Sequence, residues 1–223
     1  VIAKVEAGES LQGEDLSGLD LSAANLSSKN LSSKQLSGAD LTGVTDLSGT
    51  NLSGLDLSGA NLSGVNLSRA NLRGASLLES NLDSAVLVQA DLRETYLLYA
   101  YLRQTDLGEA NLSNAYLREA NLQKANLQNA NLRGADLQEA ELQKANLQKA
   151  NLASANLQNA DLRGADLTNA NLGRADLVGA DLRGGYLERA SLQNANLQNA
   201  DLGGAYLQNA NLSGTSSRGL TID

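Results

Sequence analysis

The chain has 223 residues and contains no Cys, His, Pro, Met, Trp or Phe; 25 acidic residues against 17 basic ones give a formal net charge of −8. Without Cys there is no disulfide, thiol nucleophile or thiolate zinc site, and without His there is no imidazole base, so most hydrolase triads are excluded. So acidic a chain is poorly suited to clamping a phosphate backbone, and no direct nucleic-acid binding is expected.

The start, Val1-Ile2-Ala3-Lys4-Val5-Glu6, is too short and mixed for a signal peptide. No apolar run approaches the roughly 18 residues of a membrane span. The expectation is therefore a protein with no membrane segment and a cytoplasmic location. Residues 1–10 read as an N-terminal cap, with Val1, Ile2 and Val5 as apolar cover.

Residues 11–212 are a repeat. Leu recurs every five residues from Leu11 to Leu41, seven copies, and again from Leu47 to Leu212, 34 copies without a break. A one-residue insertion near 42–46 separates the two blocks. Two positions before the Leu stands Ala in 26 of the 34 later units, and the exceptions are nearly all small. One position before it stands mostly Asn or Asp; the two positions after it are polar or Gly. The unit is Ala-(Asn/Asp)-Leu-x-x.

Neither regular element accommodates this unit. On an α-helix five residues advance by roughly 500°, about 140° net, so successive Leu residues spread around the cylinder and leave no stripe to bury. On a flat strand a five-residue step puts each Leu on the opposite face from the last. A chain that turns a corner in every unit satisfies the pattern: Ala and Leu point inward on every side, Asn or Asp bonds nearby backbone at the corner, and Gly eases the bend. The expected fold is all-β, a solenoid with a core of stacked Leu and Ala.

The repeated Ala-(Asn/Asp)-Leu-x-x from Leu11 to Leu212 resembles the consensus of the pentapeptide-repeat family. That resemblance implies a right-handed quadrilateral β-helix of four units per coil, with the central residue and the one two before it facing inward. Forty-one units then make about ten coils, a rod about 50 Å long at the ~4.8 Å strand spacing. Contacts run between neighbouring coils, so stability should be nearly additive and the ends need caps.

Two patterns support a twenty-residue coil. The inward position before Leu carries charge at Glu9, Glu14, Lys29 and Lys34, and burying an unpaired ion is costly. Each acid stands twenty residues before a base, so the pairs Glu9–Lys29 and Glu14–Lys34 are expected to close the first coil onto the second. Tyr96 and Tyr116, and Tyr186 and Tyr206, are also twenty apart in the outward position before Leu. They should form two short ladders with rings about 5 Å apart. Tyr99 and Tyr101 lie beside the first ladder and, with outward Leu98, form a candidate interaction surface.

Sorting the outward positions after the insertion into four sides separates the charge. The side of Leu57, Leu77 and their successors to Leu197 carries Asp56, Glu79, Glu119, Asp136, Glu139 and Asp176 against Arg118, a net of −5. The side beginning at Leu52 nets +2, from Arg73, Arg93, Arg133 and Arg174 against Asp91 and Glu94. The Leu62 side sums to zero and the Leu47 side to −2. The acidic and weakly basic sides are expected to lie opposite one another, with Asp56, Glu79, Asp136, Glu139 and Asp176 as further candidates for an interaction surface.

The resemblance also brings a function: family members that give quinolone resistance imitate duplex DNA and bind DNA gyrase. Duplex DNA carries roughly 30 charges over 50 Å, against five on the acidic side, so the imitation would be feeble. Those relatives often place Phe at the centre of the unit and carry loops that leave the coil; this chain has no Phe and only a one-residue insertion. No cleft is foreseen that would desolvate a carboxylate pair, so no enzyme, catalytic residue, metal site or cofactor is expected. The expected role is a rigid structural or protein-interaction module with an unidentified protein partner; a DNA-mimicking gyrase inhibitor or protector is the alternative. Residues 213–223 leave the repeat, keep Leu220 and Ile222, and read as a C-terminal tail or cap. A monomer with this tail across the last coil is expected, an end-to-end homodimer being the alternative.

Overall fold

The computed structural model of the protein describes residues 44–222. One pentapeptide shows how each unit closes its hydrogen bonds. Around Leu127, Asn126 N donates to Thr105 O (2.9 Å) one coil back, and Leu127 N (2.7 Å) and Asn129 N (3.0 Å) donate to Asn146 O and Gln148 O one coil ahead. Ala130 N donates to Leu127 O (3.0 Å), which closes a four-residue turn. The fifth group, Gln128 N, donates to the side-chain Oδ1 of Asn126 (3.2 Å). The unit thus needs no water to satisfy its backbone donors, and Asn or Asp before the Leu is what completes the set.

Each unit contributes one isolated parallel bridge, always to the residue twenty positions on, from Asp46 with Asn66 to Asp201 with Thr221. Four pentapeptides therefore make one circuit. The extended run on each side is too short for a continuous strand, because a turn follows every Leu.

The turns depart from the sequence reading in one respect. Gly was expected to ease the bends, yet among the described residues the third residue of every turn has positive φ whatever its identity: 67° at Gly54, 55° at Glu119, 57° at Tyr99, 59° at Lys149. Positive φ at that one position, closed by the hydrogen bond from Ala N to Leu O, is the geometry of a type II turn. A Cβ there costs about 1–2 kcal/mol. The ladder bonds on both sides of the turn hold the conformation against that cost.

The interior holds Leu from every unit and Ala from most, nearly all fully buried between Leu47 and Leu202. Four polar residues occupy the Ala position and are completely buried: Thr50, Ser80, Thr95 and Thr105. Their short side chains fit the space, and backbone carbonyls supply partners. Ser80 Oγ donates to Leu77 O (2.8 Å), Thr95 Oγ1 to Leu72 O (2.9 Å) and Thr105 Oγ1 to Leu82 O (2.8 Å).

The winding runs on into the segment expected as a tail: Ser216 bridges Asn196 and Thr221 bridges Asp201. The expected pairs Glu9–Lys29 and Glu14–Lys34, the cap at 1–10 and the first repeat block lie outside the described residues. One expectation is corrected. Consecutive units occupy consecutive sides, so the Leu52 and Leu57 sides adjoin at a corner, and the acidic and weakly basic sides are neighbours, not opposites.

Candidate functional site: an exposed aromatic corner

The bridge between Tyr96 and Tyr116 sets two side chains one strand spacing apart on the outside of the Leu57 side. Their rings stack with centroids 4.9 Å apart and planes 5° from parallel. A second bridge on the Leu47 side produces the same geometry for Tyr186 and Tyr206, at 5.0 Å and 5°. Both ladders are the ones the twenty-residue spacing predicts. All four rings remain exposed.

The two pairs differ in their surroundings. Beside Tyr96 and Tyr116 runs the column of residues that follow the Leu, where Leu78 is exposed and Leu98 half-buried. Tyr99 occupies the turn position with positive φ and is 45% exposed; Tyr101 stands just around that corner on the Leu62 side, 50% exposed. Six apolar or aromatic side chains thus gather on one corner, within three consecutive coils. Leu78 was missed by the sequence reading, although its spacing of twenty from Leu98 was the signal that would have found it.

The corner is edged by charge. Asp83 holds Arg103 next to Tyr101, accepting from the Arg103 guanidinium and from Arg103 N (2.8 Å). Tyr101 occupies the position where Asn would have accepted that N–H, and Asp83 accepts it from one coil away. Arg118 takes the place after Leu98 in its column and lies between Glu119 (3.6 Å) and Glu139 (3.7 Å).

The acidic residues expected as candidates are spread along the rod and mostly engaged by it. Asp136 Oδ1 accepts from Gln138 N (3.2 Å) and Asn156 Nδ2 (2.8 Å). Asp176 accepts from Val178 N (3.2 Å) and Gln158 Nε2 (2.6 Å). Glu139 shares Arg118 and accepts from Gln138 Nε2 (3.0 Å). Asp56 accepts from Ser58 N (3.1 Å), and the Ser58 hydroxyl and N–H hold its carboxyl below the usual value. Glu79 stands exposed one coil before Tyr99. The structure brings the tyrosines, Leu98 and Glu79 together; Asp56, Asp136, Glu139 and Asp176 lie to either side. Among the described residues no three acidic side chains group as a metal site would require, and no helix is long and apolar enough to cross a membrane.

A chain of stacked five-residue turns with a Leu and Ala interior is a solenoid repeat protein. The family model for pentapeptide repeats matches it in eight copies, with matched segments running from residue 15 to residue 216. The chain belongs to the pentapeptide-repeat family. Among solved structures it is similar to HetL, a pentapeptide repeat protein involved in heterocyst differentiation regulation in the cyanobacterium Nostoc sp. strain PCC 7120. That match has 32% identity, covers 98% of this chain and 94% of HetL, and has a TM-score of 0.46. It is also similar to QnrB1, a plasmid-mediated fluoroquinolone resistance protein, with 21% identity, coverage of 94% and 89%, and a TM-score of 0.51 for one trypsin-treated form. The likeness to QnrB1 is one of fold alone. No curated protein matches the chain.

Proposed function

We propose that the chain is a non-enzymatic rod, a right-handed quadrilateral β-helix of about ten coils, that binds a cytoplasmic protein partner through the corner of Tyr96, Leu98, Tyr99, Tyr101 and Tyr116. One observation carries this reading: Leu78 and Leu98 join four tyrosines on a single exposed corner, whereas the other exposed ladder, Tyr186 and Tyr206, has no exposed leucine beside it. Aromatic side chains on a rigid surface lose little entropy on binding and are enriched among residues that dominate interface energies. A charged rim beside them, here Glu79, Glu119, Arg118 and Asp83, is the usual companion of such a centre.

The test is a pull-down from lysate of the source cell with three baits: the native protein, a Tyr96→Ser/Leu98→Ser/Tyr99→Ser variant, and a Tyr186→Ser control. The expected result is a prey retained by the native and control baits and lost with the triple variant. Identical preys on all three baits would overturn the reading.

Imitation of DNA draws less support. The Leu57 side nets −5 against roughly 30 charges on a comparable length of duplex, and two of its acids share Arg118. A gyrase supercoiling assay with purified protein is expected to show no inhibition.

A further inference from the structure

The corner column between the Leu52 and Leu57 sides holds a shallow trough of about 410 Å³, with Arg133, Asn151, Ala153, Ser154, Gly173 and Arg174 in its lining. Its floor is low because Ala153, Ser154 and Gly173 are small where other units carry Gln, Lys or Arg. Arg133 stands at one end and Arg174 toward the other, on coils two apart. Both are exposed. Most other arginines of the described region face a carboxylate: Arg73 pairs with Glu94, Arg93 with Asp91, Arg103 with Asp83, and Arg163 and Arg183 with Asp161 and Asp181. Arg133 and Arg174 have no ion pair among the described residues. The Leu52 side carries no Asp or Glu from Leu112 to Leu212, and on the adjoining Leu57 side Asp136 and Asp176 accept instead from Asn156 Nδ2 (2.8 Å) and Gln158 Nε2 (2.6 Å).

The amide column beside the trough adds a second, independent feature. Asn131 Oδ1 accepts from Arg133 N (3.2 Å) and from Asn151 Nδ2 (3.2 Å). Asn151 Oδ1 accepts from Ala153 N (3.2 Å) and from Asn171 Nδ2 (3.3 Å). The backbone donors fix which end of each amide is oxygen. Both lone pairs of these oxygens are therefore used, while each NH2 group spends one hydrogen on the ladder and keeps another. Along this column the strip offers hydrogen-bond donors beside positive charge, and the oxygens of Asn131 and Asn151 are already taken.

We propose that this strip docks an extended acidic peptide segment with carboxylates three residues apart. A carboxylate is an acceptor only, and it pairs with guanidinium through charge-assisted hydrogen bonds. Two coils span about 10 Å. In polyproline II conformation, common in unfolded acidic chains, residues three apart project in the same direction about 9.3 Å from one another. Such a segment lying along the rod axis sets one carboxylate on Arg133 and the next on Arg174, with its intervening backbone over Ala153 and Gly173. A nucleic acid fits less well: no aromatic side chain lines the trough to stack a base, and the chain's net charge of −8 opposes a dense polyanion.

Fluorescence anisotropy on the full chain at low salt tests this, with a labelled Ser/Pro peptide carrying Glu at every third position. Its Gln counterpart, a single-stranded oligonucleotide and a sulfated oligosaccharide are the comparison probes. The Glu peptide is expected to bind, and the Gln peptide and the Arg133→Gln/Arg174→Gln variant to weaken binding at least about tenfold, in line with the loss of charge-assisted bonds. A second variant, Ser154→Glu, puts a carboxylate on the trough floor at a turn position that accepts Glu elsewhere, as at Glu109 and Glu139; it is expected to weaken binding while leaving the circular dichroism spectrum unchanged. No binding of the Glu peptide, equal binding of the Gln peptide, native affinity in both variants, or preference for the oligonucleotide or the sulfated sugar would each overturn the proposal.

Discussion

The residue before each Leu has two jobs in this protein, and they explain why Asn and Asp dominate it. Its oxygen accepts the one backbone N–H the coils leave over, and its amide or carboxylate meets the same position one coil away. Asn126 does both: Oδ1 accepts from Gln128 N (3.2 Å) and Asn146 Nδ2 (3.1 Å), while Nδ2 donates to Asp106 (2.8 Å). Asn126→Ala removes all three and leaves the Gln128 N–H without that oxygen. A loss of about 1–2 kcal/mol is expected, read from urea midpoints. A loss below the error of the fit would show that water replaces the side chain at no cost. Tyr96, Tyr116, Tyr186 and Tyr206 at the same position forgo these bonds and gain ring stacking, which shows them to be departures from the unit's own logic.

At the scale of the element, each pentapeptide is a quarter of a coil and one hydrogen-bonded turn, and it packs only on its neighbours. Position along the rod therefore sets the cost of losing a Leu side chain. Leu137 is fully buried between coils, whereas Leu207 is only partly buried near the end of the described region. Leu137→Ala is expected to cost about 2–5 kcal/mol through lost burial and a residual cavity. Leu207→Ala should cost less than half of that. Thermal or urea denaturation of the two variants checks the order; equal losses would show that the last coil is covered in solution. Turn residues carry less of this burden, because their geometry is held by ladder bonds between backbone groups. That is why Glu, Lys, Ser, Asn and Arg all occur at positive φ.

For the whole molecule the charge pattern governs the response to pH. The chain has no His, so no side chain with an ordinary pKa titrates between about pH 5 and 8. Several carboxyls lie below their usual value. The Arg183 guanidinium holds Asp181 down, and Arg93 does the same for Asp91. Burial pushes Asp161 up, but hydrogen bonds from Arg163 and Gln143 outweigh it. A carboxyl with a depressed value in the folded state contributes stability above its unfolded value, about 3.9, and that contribution disappears as pH falls through the folded value. Melting temperatures are expected to be flat from about pH 8 to 5 and to fall below about pH 4. Asp181→Asn should flatten that acid limb. A transition near pH 6 would contradict this account. The arginines are half-exposed, so each pair contributes modestly.

The five-residue period alone excluded a helix and a flat strand; the family resemblance implied a coil of four units, and the spacings of twenty between tyrosines supported it. Local chemistry made that possible: a repeat that stacks on itself places like residues over like, so a one-dimensional pattern states its neighbours. Three features were decided only by the fold. Positive φ at Lys149 and Glu119 is invisible in residues that ordinarily avoid it; the ladder imposes it. The adjacency of the acidic and basic sides follows from the order in which sides meet around a coil. The trough between Arg133 and Arg174 exists because small residues from Ala153, Ser154 and Gly173 align across coils, a depth that no single unit contains.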